Sequence, residues 1–240
     1  MRFVCDCFWP MLGGSPLGLT AKAISMLSLE QKRVRSSAMS SKTTQSKNPK
    51  PGLLISPSRF FYARSNLLAA FLATAVFAGY LVFVLMGKGA AFEVANSSVR
   101  SLGTTLGFGQ TEILAFLAER SEQMILAYIN FNQVWDSLFA LIYGVMYVIW
   151  VSVLFKPYSK RATILNLLPF GQVVFDWLEN FALATLSNEY LAGGTISSTT
   201  AALASTFSTT KWVFSLLVYG VIFVGIVMRV VRAIKKRSQR

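Results

Sequence analysis

The chain has no histidine and only two cysteines in 240 residues. Without histidine it lacks the commonest general base and the commonest metal ligand. Cys5 and Cys7 are too close in sequence for a good structural disulfide and too few for a zinc site. We therefore expect no bound metal and no cofactor. For the two thiols, reversible acylation is one alternative and an inert or removed leader is the other.

Charged residues are also scarce, at 14%, whereas 54% of the residues are hydrophobic. This is not the composition of an ordinary soluble domain. Crossing about 30 Å of hydrocarbon takes roughly 20 apolar residues in a helix. Four stretches reach that length, at residues 66–87, 134–155, 163–187 and 212–231. The sequence therefore predicts an all-α polytopic membrane protein, built as a bundle of four transmembrane helices.

Acidic residues number only 10 against 23 Lys and Arg, which gives a net charge of +13. The basic residues cluster before the first predicted span and after the last one. The flanks of the four spans alternate between basic and near-neutral, which places both termini in the cytosol or an equivalent positive-inside compartment. Such basic termini attract anionic lipid headgroups, so membrane lipids are the expected partners. The termini lack interleaved aromatic residues, and we expect no nucleic-acid partner.

The pattern divides the chain into three regions. Residues 1–64 are predicted to be a disordered basic extension, with an organellar targeting segment as the alternative. Residues 65–232 form the transmembrane domain, and residues 233–240 a basic tail. In the first outer loop, residues 111–131 have the apolar spacing of an amphipathic helix that either caps the bundle or gates a cavity. Residues 193–210 are predicted to be a flexible linker or a weak short helix.

The third apolar stretch contains a group of polar residues near its middle. Asp176, Glu179 and Asn180 share a helix face with Gln172, since they lie three or four residues apart. A charge at the centre of a transmembrane helix costs about 2.5–3.5 kcal/mol, so these side chains need partners inside the protein. Pro169 precedes them and is predicted to kink the span.

The neighbouring spans contribute further polar side chains. Span two begins with Asp136 and continues to Tyr143, and span four begins with Lys211. At about 1.5 Å per residue, Asp136 and Lys211 lie near the outer boundary and are expected to pair. Asp176 and Glu179 lie deeper, and they gain a cation only if the Lys211 side chain bends inward. The candidate intramembrane site consists of Asp136, Tyr143, Gln172, Asp176, Glu179, Asn180 and Lys211. Five glycines are predicted to let helices approach closely, at positions 79, 144, 171, 220 and 225.

Three functions remain open for this site. It could be a structural network of interhelical hydrogen bonds, or a site for a lipid or small solute. It could also belong to an intramembrane lipid-modifying enzyme of the sterol-isomerase type, with Asp176 and Glu179 as acid and base. The sequence leaves the organelle and the oligomeric state undetermined.

Several of these residues also carry a family resemblance. Leu168-Pro169, the run Asp176-x-x-Glu179-Asn180, Trp135-Asp136 and Thr210-Lys211-Trp212 resemble the pattern of an uncharacterised family of small four-span integral membrane proteins. The resemblance covers residues 111–232 and a generic first span. It implies a fold and a topology, and no known activity.

Overall fold

A computed structural model describes residues 54–95, 97, 99, 101–160 and 164–239. These residues form helices and turns, and none of them lies in a β-strand. The predicted all-α class is confirmed over this part of the chain. Both cysteines, and residues 1–53 of the predicted extension, lie outside the described residues.

Seven helices follow one another in the described part of the chain. They are α1 (Ile55–Arg64), α2 (Leu67–Phe92), α3 (Gln110–Ala118), α4 (Glu122–Asn130), α5 (Ser137–Phe155), α6 (Leu168–Gly193) and α7 (Ser198–Ser238). A π-helical turn, Leu81–Leu85, lies within α2. A second one, Phe131–Asp136, joins α4 to α5.

Three helical segments are long and apolar enough to cross a membrane. They are Leu67–Phe92, Glu122–Tyr158 and Ser198–Ser238. They coincide with the first, second and fourth stretches predicted from the sequence, and they are compatible with a multi-pass membrane protein. Helix α6 covers the third stretch, and its carboxylates and amides lower its mean hydropathy.

Helices α5 and α7 run in the same direction, and α6 runs opposite to both. Residue numbers rise together along the contacts between α5 and α7, and run in opposite order between α5 and α6. The contacts are Tyr147 with Tyr219 and Leu154 with Arg229 in the first case, and Ser137 with Trp177 and Gly144 with Val173 in the second. The chain therefore reverses direction twice within this three-helix group.

Two glycines bring α6 close to its neighbours. A Cβ atom on Gly144 would lie 2.3 Å from Cγ2 of Val173, and one on Gly171 would lie 2.3 Å from Cε1 of Phe214. Neither position has room for a methyl group, so the predicted close approach is confirmed there, as it is at Gly225. The prediction is wrong at positions 79 and 220, where an added Cβ would meet only open space.

Above the bundle, the chain forms a region with its own hydrophobic core, which we call the cap. It comprises α3, α4, the described residues between positions 93 and 109, the last turns of α6 and the first turns of α7. Its buried core includes Leu102, Phe116, Ile125, Leu186 and Ala204. The apolar face predicted for residues 111–131 thus packs inside the protein, over the end of the bundle.

Arg120 divides the single amphipathic helix predicted from the sequence into α3 and α4. Its Nε donates a hydrogen bond of 2.9 Å to the Phe92 carbonyl, and its Nη1 donates to the Phe116 carbonyl. Burial lowers the pKa of this guanidinium, but arginine stays charged, so these two carbonyl partners compensate its desolvation. Ser121 then caps α4, since its hydroxyl accepts from the backbone N–H of Met124.

The predicted kink at Pro169 is wrong. Pro169 lies in the first turn of α6, which begins at Leu168. The backbone N–H groups of a first turn have no partner within the helix, so the N–H that proline lacks costs nothing there. Pro169 therefore fits the first turn of α6 and leaves no carbonyl group within the helix without its partner.

Of the two alternatives for residues 193–210, the linker is wrong and the helix is confirmed from Ser198 onward, although it is not short, because it forms the start of α7. Gly194 ends α6 with a left-handed backbone (φ 70°), and the Ser197 hydroxyl caps α7 by accepting from the N–H of Thr200. Ala201 and Ala204 are buried against the cap, where their small side chains allow close packing. Tertiary packing thus stabilises a helix that has weak intrinsic propensity.

Residues 55–64 of the predicted disordered extension form helix α1. Ser58 and Tyr62 are buried on its inner face. Lys156 holds its C-terminal end by donating to the carbonyls of Ala63 and Ser65, at 3.3 and 3.0 Å. The order of α1 therefore comes from contacts with residues about 90 positions away, which local composition does not show.

Candidate functional site

Lys211 of α7 is the centre of the candidate site. Its Nζ lies 3.0 Å from Oδ1 of Asp176 and also forms an ion pair with Oε2 of Glu179. Lys211 is 8% exposed and Glu179 is fully buried. Asp176 and Glu179 lie three residues apart on α6, so one ammonium can reach both carboxylates from the facing helix. This network joins α6 to α7.

Tyr143 brings α5 into the same network. Its hydroxyl donates a hydrogen bond of 2.8 Å to Oδ2 of Asp176. The two oxygens of Asp176 thus have separate partners, a cation from α7 and a hydroxyl from α5. Three helices therefore meet at one buried carboxylate.

Gln172 and Asn180 lie on the same buried face of α6, as the spacing predicts. Among the described residues, Oε1 of Gln172 accepts no hydrogen bond. Asn180 lies close to Asp136, although its Nδ2 makes no well-formed hydrogen bond within the described chain. The site therefore contains buried polar atoms with unused hydrogen-bonding capacity, which is uncommon in protein interiors.

The pairing of Asp136 with Lys211 expected from helix depth is not what the structure shows. Asp136 is half-buried in the π-helical turn before α5, and no ion pair within 4.0 Å joins it to Lys211 in the described chain. Its charge still lies within electrostatic reach of Asp176 and Lys211. The lysine side chain instead extends to the deeper carboxylates, because its flexible stem spans the difference in depth.

A segment of the cap closes over this network. The carbonyl of Gly103 accepts from Lys211 Nζ at 3.2 Å. The carbonyl of Thr105 accepts from both the Ser208 hydroxyl and the indole N–H of Trp212, at 3.0 and 3.1 Å. Residues 103–105 are thus held on α7 by side chains on both sides of Lys211, and the site lies beneath them.

Sequence reasoning missed this contribution of the cap. The Ser and Thr residues in the first turns of α7 were the available signal, because hydroxyls at helical spacing can bind a second backbone segment. Gly107, whose φ is 142°, passes so close to α7 that an added Cβ would lie 3.1 Å from Oγ1 of Thr209. Only glycine adopts that backbone conformation readily.

A second buried polar cluster lies at the opposite end of the bundle, and the sequence did not predict it. Oδ1 of Asn166 accepts from the Ser58 hydroxyl at 2.6 Å. The Asn166 amide donates to the Ser58 carbonyl at 3.0 Å and to the Ser152 hydroxyl at 2.9 Å. All three residues are fully buried. This cluster joins α1 to α5 and to the turn that precedes α6.

Comparison with known proteins identifies no relative. The chain matches no protein-family model, no curated protein and no solved structure. Within the described residues, no group of three or more Asp, Glu or Cys side chains is placed to hold a metal ion. Arguments about function therefore rest on the geometry of this chain.

Proposed function

We propose that the chain is a four-span integral membrane protein with both termini in the positive-inside compartment. Three helices are apolar enough to span, and α5 and α7 run in the same direction. Two spans with the same direction require a return crossing between them, and α6 is the one long helix that the structure describes between them. Its 26 residues extend about 39 Å, which is enough to cross the hydrocarbon layer.

Cysteine accessibility tests this topology. With Cys5 and Cys7 replaced by serine, single cysteines at Ser159 and Thr195 would flank α6 at its two ends. A membrane-impermeant thiol reagent should label Thr195→Cys and Ser159→Cys from opposite sides of the membrane. Labelling of both from one side would show that α6 does not cross.

For the network around Lys211, we infer a structural function: it locks the packing of α5, α6 and α7 and holds the cap on the bundle. One observation carries this proposal, namely that Lys211 Nζ contacts Asp176, Glu179 and the Gly103 carbonyl together. Breaking a buried ion pair by removing one partner costs about 3–5 kcal/mol, because a charge is left uncompensated. The network therefore makes the arrangement of the spans strongly dependent on a single lysine.

A second candidate function is the binding of a lipid headgroup or small solute at this network. Two carboxylates share one ammonium, so the fully ionised network has one negative charge in excess, and Asp136 adds another nearby. Gln172 and Asn180 offer unused polar atoms on the same face. A purely structural lock needs no excess charge, and this imbalance favours a proton or a cationic group as an additional occupant.

One experiment separates the two candidates. The full-length protein is purified in detergent as wild type, Lys211→Met and Asp176→Asn, with Lys235→Met at an exposed position of α7 as the charge-matched control. A structural lock predicts that Lys211→Met unfolds well below the control, whereas Asp176→Asn, which keeps the Lys211–Glu179 pair, loses less. If Lys211→Met unfolds like the control, the structural proposal is wrong. Loss of a copurifying molecule from stable variants, detected by mass spectrometry, would then support a binding site.

A lipid isomerase with Asp176 and Glu179 as acid and base gains less support. Both carboxylates contact the same lysine, and no residue of the network lines the cavity beside α3 or the cavity beside α1. The resemblance to small four-span membrane proteins remains a proposal of kinship.

A further inference from the structure

A cavity of about 340 Å³ lies at the end of the bundle opposite the cap. The described residues that line it are Arg59 and Tyr62 of α1, and Ser159 and Lys160 of the turn after α5. They offer two cationic groups and two hydroxyls. The sequence segments around it, residues 54–66 and 156–168, contain no Asp or Glu. The chemistry of the lining therefore suits an anion.

Helix α1 is fixed beside this cavity by contacts of Asn166 and Lys156, two residues that do not line it. Asn166 binds Ser58 on α1 through two hydrogen bonds, of 2.6 and 3.0 Å. Lys156 binds the carbonyl groups of Ala63 and Ser65, where α1 ends. Helix α1 is thus attached at its middle and at its end, so the lining residues are pre-organised and an anion would lose little affinity to ordering them.

The side chains that line the cavity differ in their exposure to solvent. Tyr62 is buried, and burial raises the pKa of its hydroxyl, which therefore remains a hydrogen-bond donor at neutral pH. Arg59 and Lys160 are exposed at the mouth. Helix α1 ends two residues before the first apolar span begins at Leu67. The mouth therefore lies close to the level where lipid headgroups meet water in the proposed topology.

We propose that this cavity binds the phosphate group of an anionic phospholipid. The Arg59 guanidinium has the planar donor geometry that pairs with two phosphate oxygens, and Lys160 adds a second positive charge. The Ser159 hydroxyl donates to a remaining oxygen. This site is separate from the Lys211 network, and its substitutions leave that network intact.

Binding is tested with full-length protein in detergent, titrated with short-chain phosphatidic acid, with phosphatidylcholine of the same chain length, and with inorganic phosphate. Native mass spectrometry measures retained lipid, and thermal unfolding measures stabilisation. Phosphatidic acid should bind and stabilise the wild type, and Arg59→Gln should weaken it about tenfold, the loss expected for one charge-assisted contact. Ser159→Ala, which removes only the hydroxyl, should weaken it by a smaller factor.

Arg64→Gln is the matched control, because it removes the same charge from the same helix at a residue that does not line the cavity. It should retain wild-type affinity. Equal weakening by Arg64→Gln and Arg59→Gln would mean diffuse charge attraction and would overturn the proposal. Stabilisation by inorganic phosphate alone, without retained phosphatidic acid, would overturn a lipid as the source of the phosphate group.

Discussion

At each end of this bundle a buried polar cluster joins the helices, and the two clusters use different kinds of contact. Beneath the cap, Lys211 pairs with two carboxylates, so the helices are joined by full charges. At the opposite end, Asn166 joins α1 to α5 through serine and carbonyl groups that are all neutral. Each cluster is almost completely buried. The chain thus joins buried helix surfaces in two ways, with ion pairs beneath the cap and with amide and hydroxyl groups at the opposite end.

The difference follows the distribution of acidic residues. The segments of the Asn166 end contain no Asp or Glu, whereas every acidic residue beyond position 54 lies between Glu93 and Glu189. A lysine buried at the Asn166 end would have no carboxylate to pair with. The cationic residues at that end bind carbonyl oxygens instead. Lys156 binds the Ser65 carbonyl at the end of α1, and Arg229 binds the Leu154 carbonyl. Local charge composition therefore decides which kind of cluster each end can form.

The largest effect is expected from reversing a charge in the ionic cluster. Glu179→Lys would place a second ammonium beside Lys211 in a fully buried position. Since an uncompensated buried charge costs about 3–5 kcal/mol or more, this variant should fail to accumulate as folded protein. Expression and size-exclusion profiles in detergent measure the outcome, with the exposed Glu122→Lys as control. Wild-type behaviour of Glu179→Lys would contradict the ionic cluster.

An intermediate effect is expected from the neutral cluster. Asn166→Ala would leave the hydroxyls of Ser58 and Ser152 without their partner, at about 1–3 kcal/mol for each buried group left unsatisfied. This loss should not change with salt concentration, because no ion is involved. Chemical unfolding at low and high salt tests both statements. A strong salt dependence would break the distinction between the two ends.

The smallest effect is expected from Tyr143→Phe, which removes one hydrogen bond from Asp176 while Lys211 remains in contact. Hydrogen bonds between transmembrane helices contribute about 0.6 kcal/mol on average, so a loss near 1 kcal/mol is expected. Thermal unfolding measures it, with Tyr158→Phe as the control outside the network. A loss as large as that of Lys211→Met would mean that the tyrosine, and not the ion pair, dominates the ionic cluster.

The polar face of α6 could be predicted from sequence because it depends on spacing alone. Gln172, Asp176, Glu179 and Asn180 are all buried on one side, as a helical period requires. The ion-pair partner of Lys211 could not be predicted in the same way. Estimates of depth treat side chains as points at their Cα positions, whereas a lysine stem reaches several ångströms along the helix.

The parts of the fold that sequence reasoning missed depend on contacts between distant positions. Helix α1 is ordered by Asn166 and Lys156, and the first turns of α7 are ordered by the cap. In both places the local composition, rich in Ser, Thr or basic residues, is typical of a linker. Tertiary contacts override that preference, and a single sequence does not reveal them.

Helix α7 has a mechanical consequence for the whole molecule. Its 41 residues form a rod of about 60 Å, roughly twice the thickness of the hydrocarbon layer. One part of the rod is attached to the cap through Ser208, Lys211 and Trp212, and the other to α5 through Arg229. Because the helix is stiff, these two attachments are mechanically coupled. A tilt imposed on its basic end would therefore be transmitted to the residues that bind the cap.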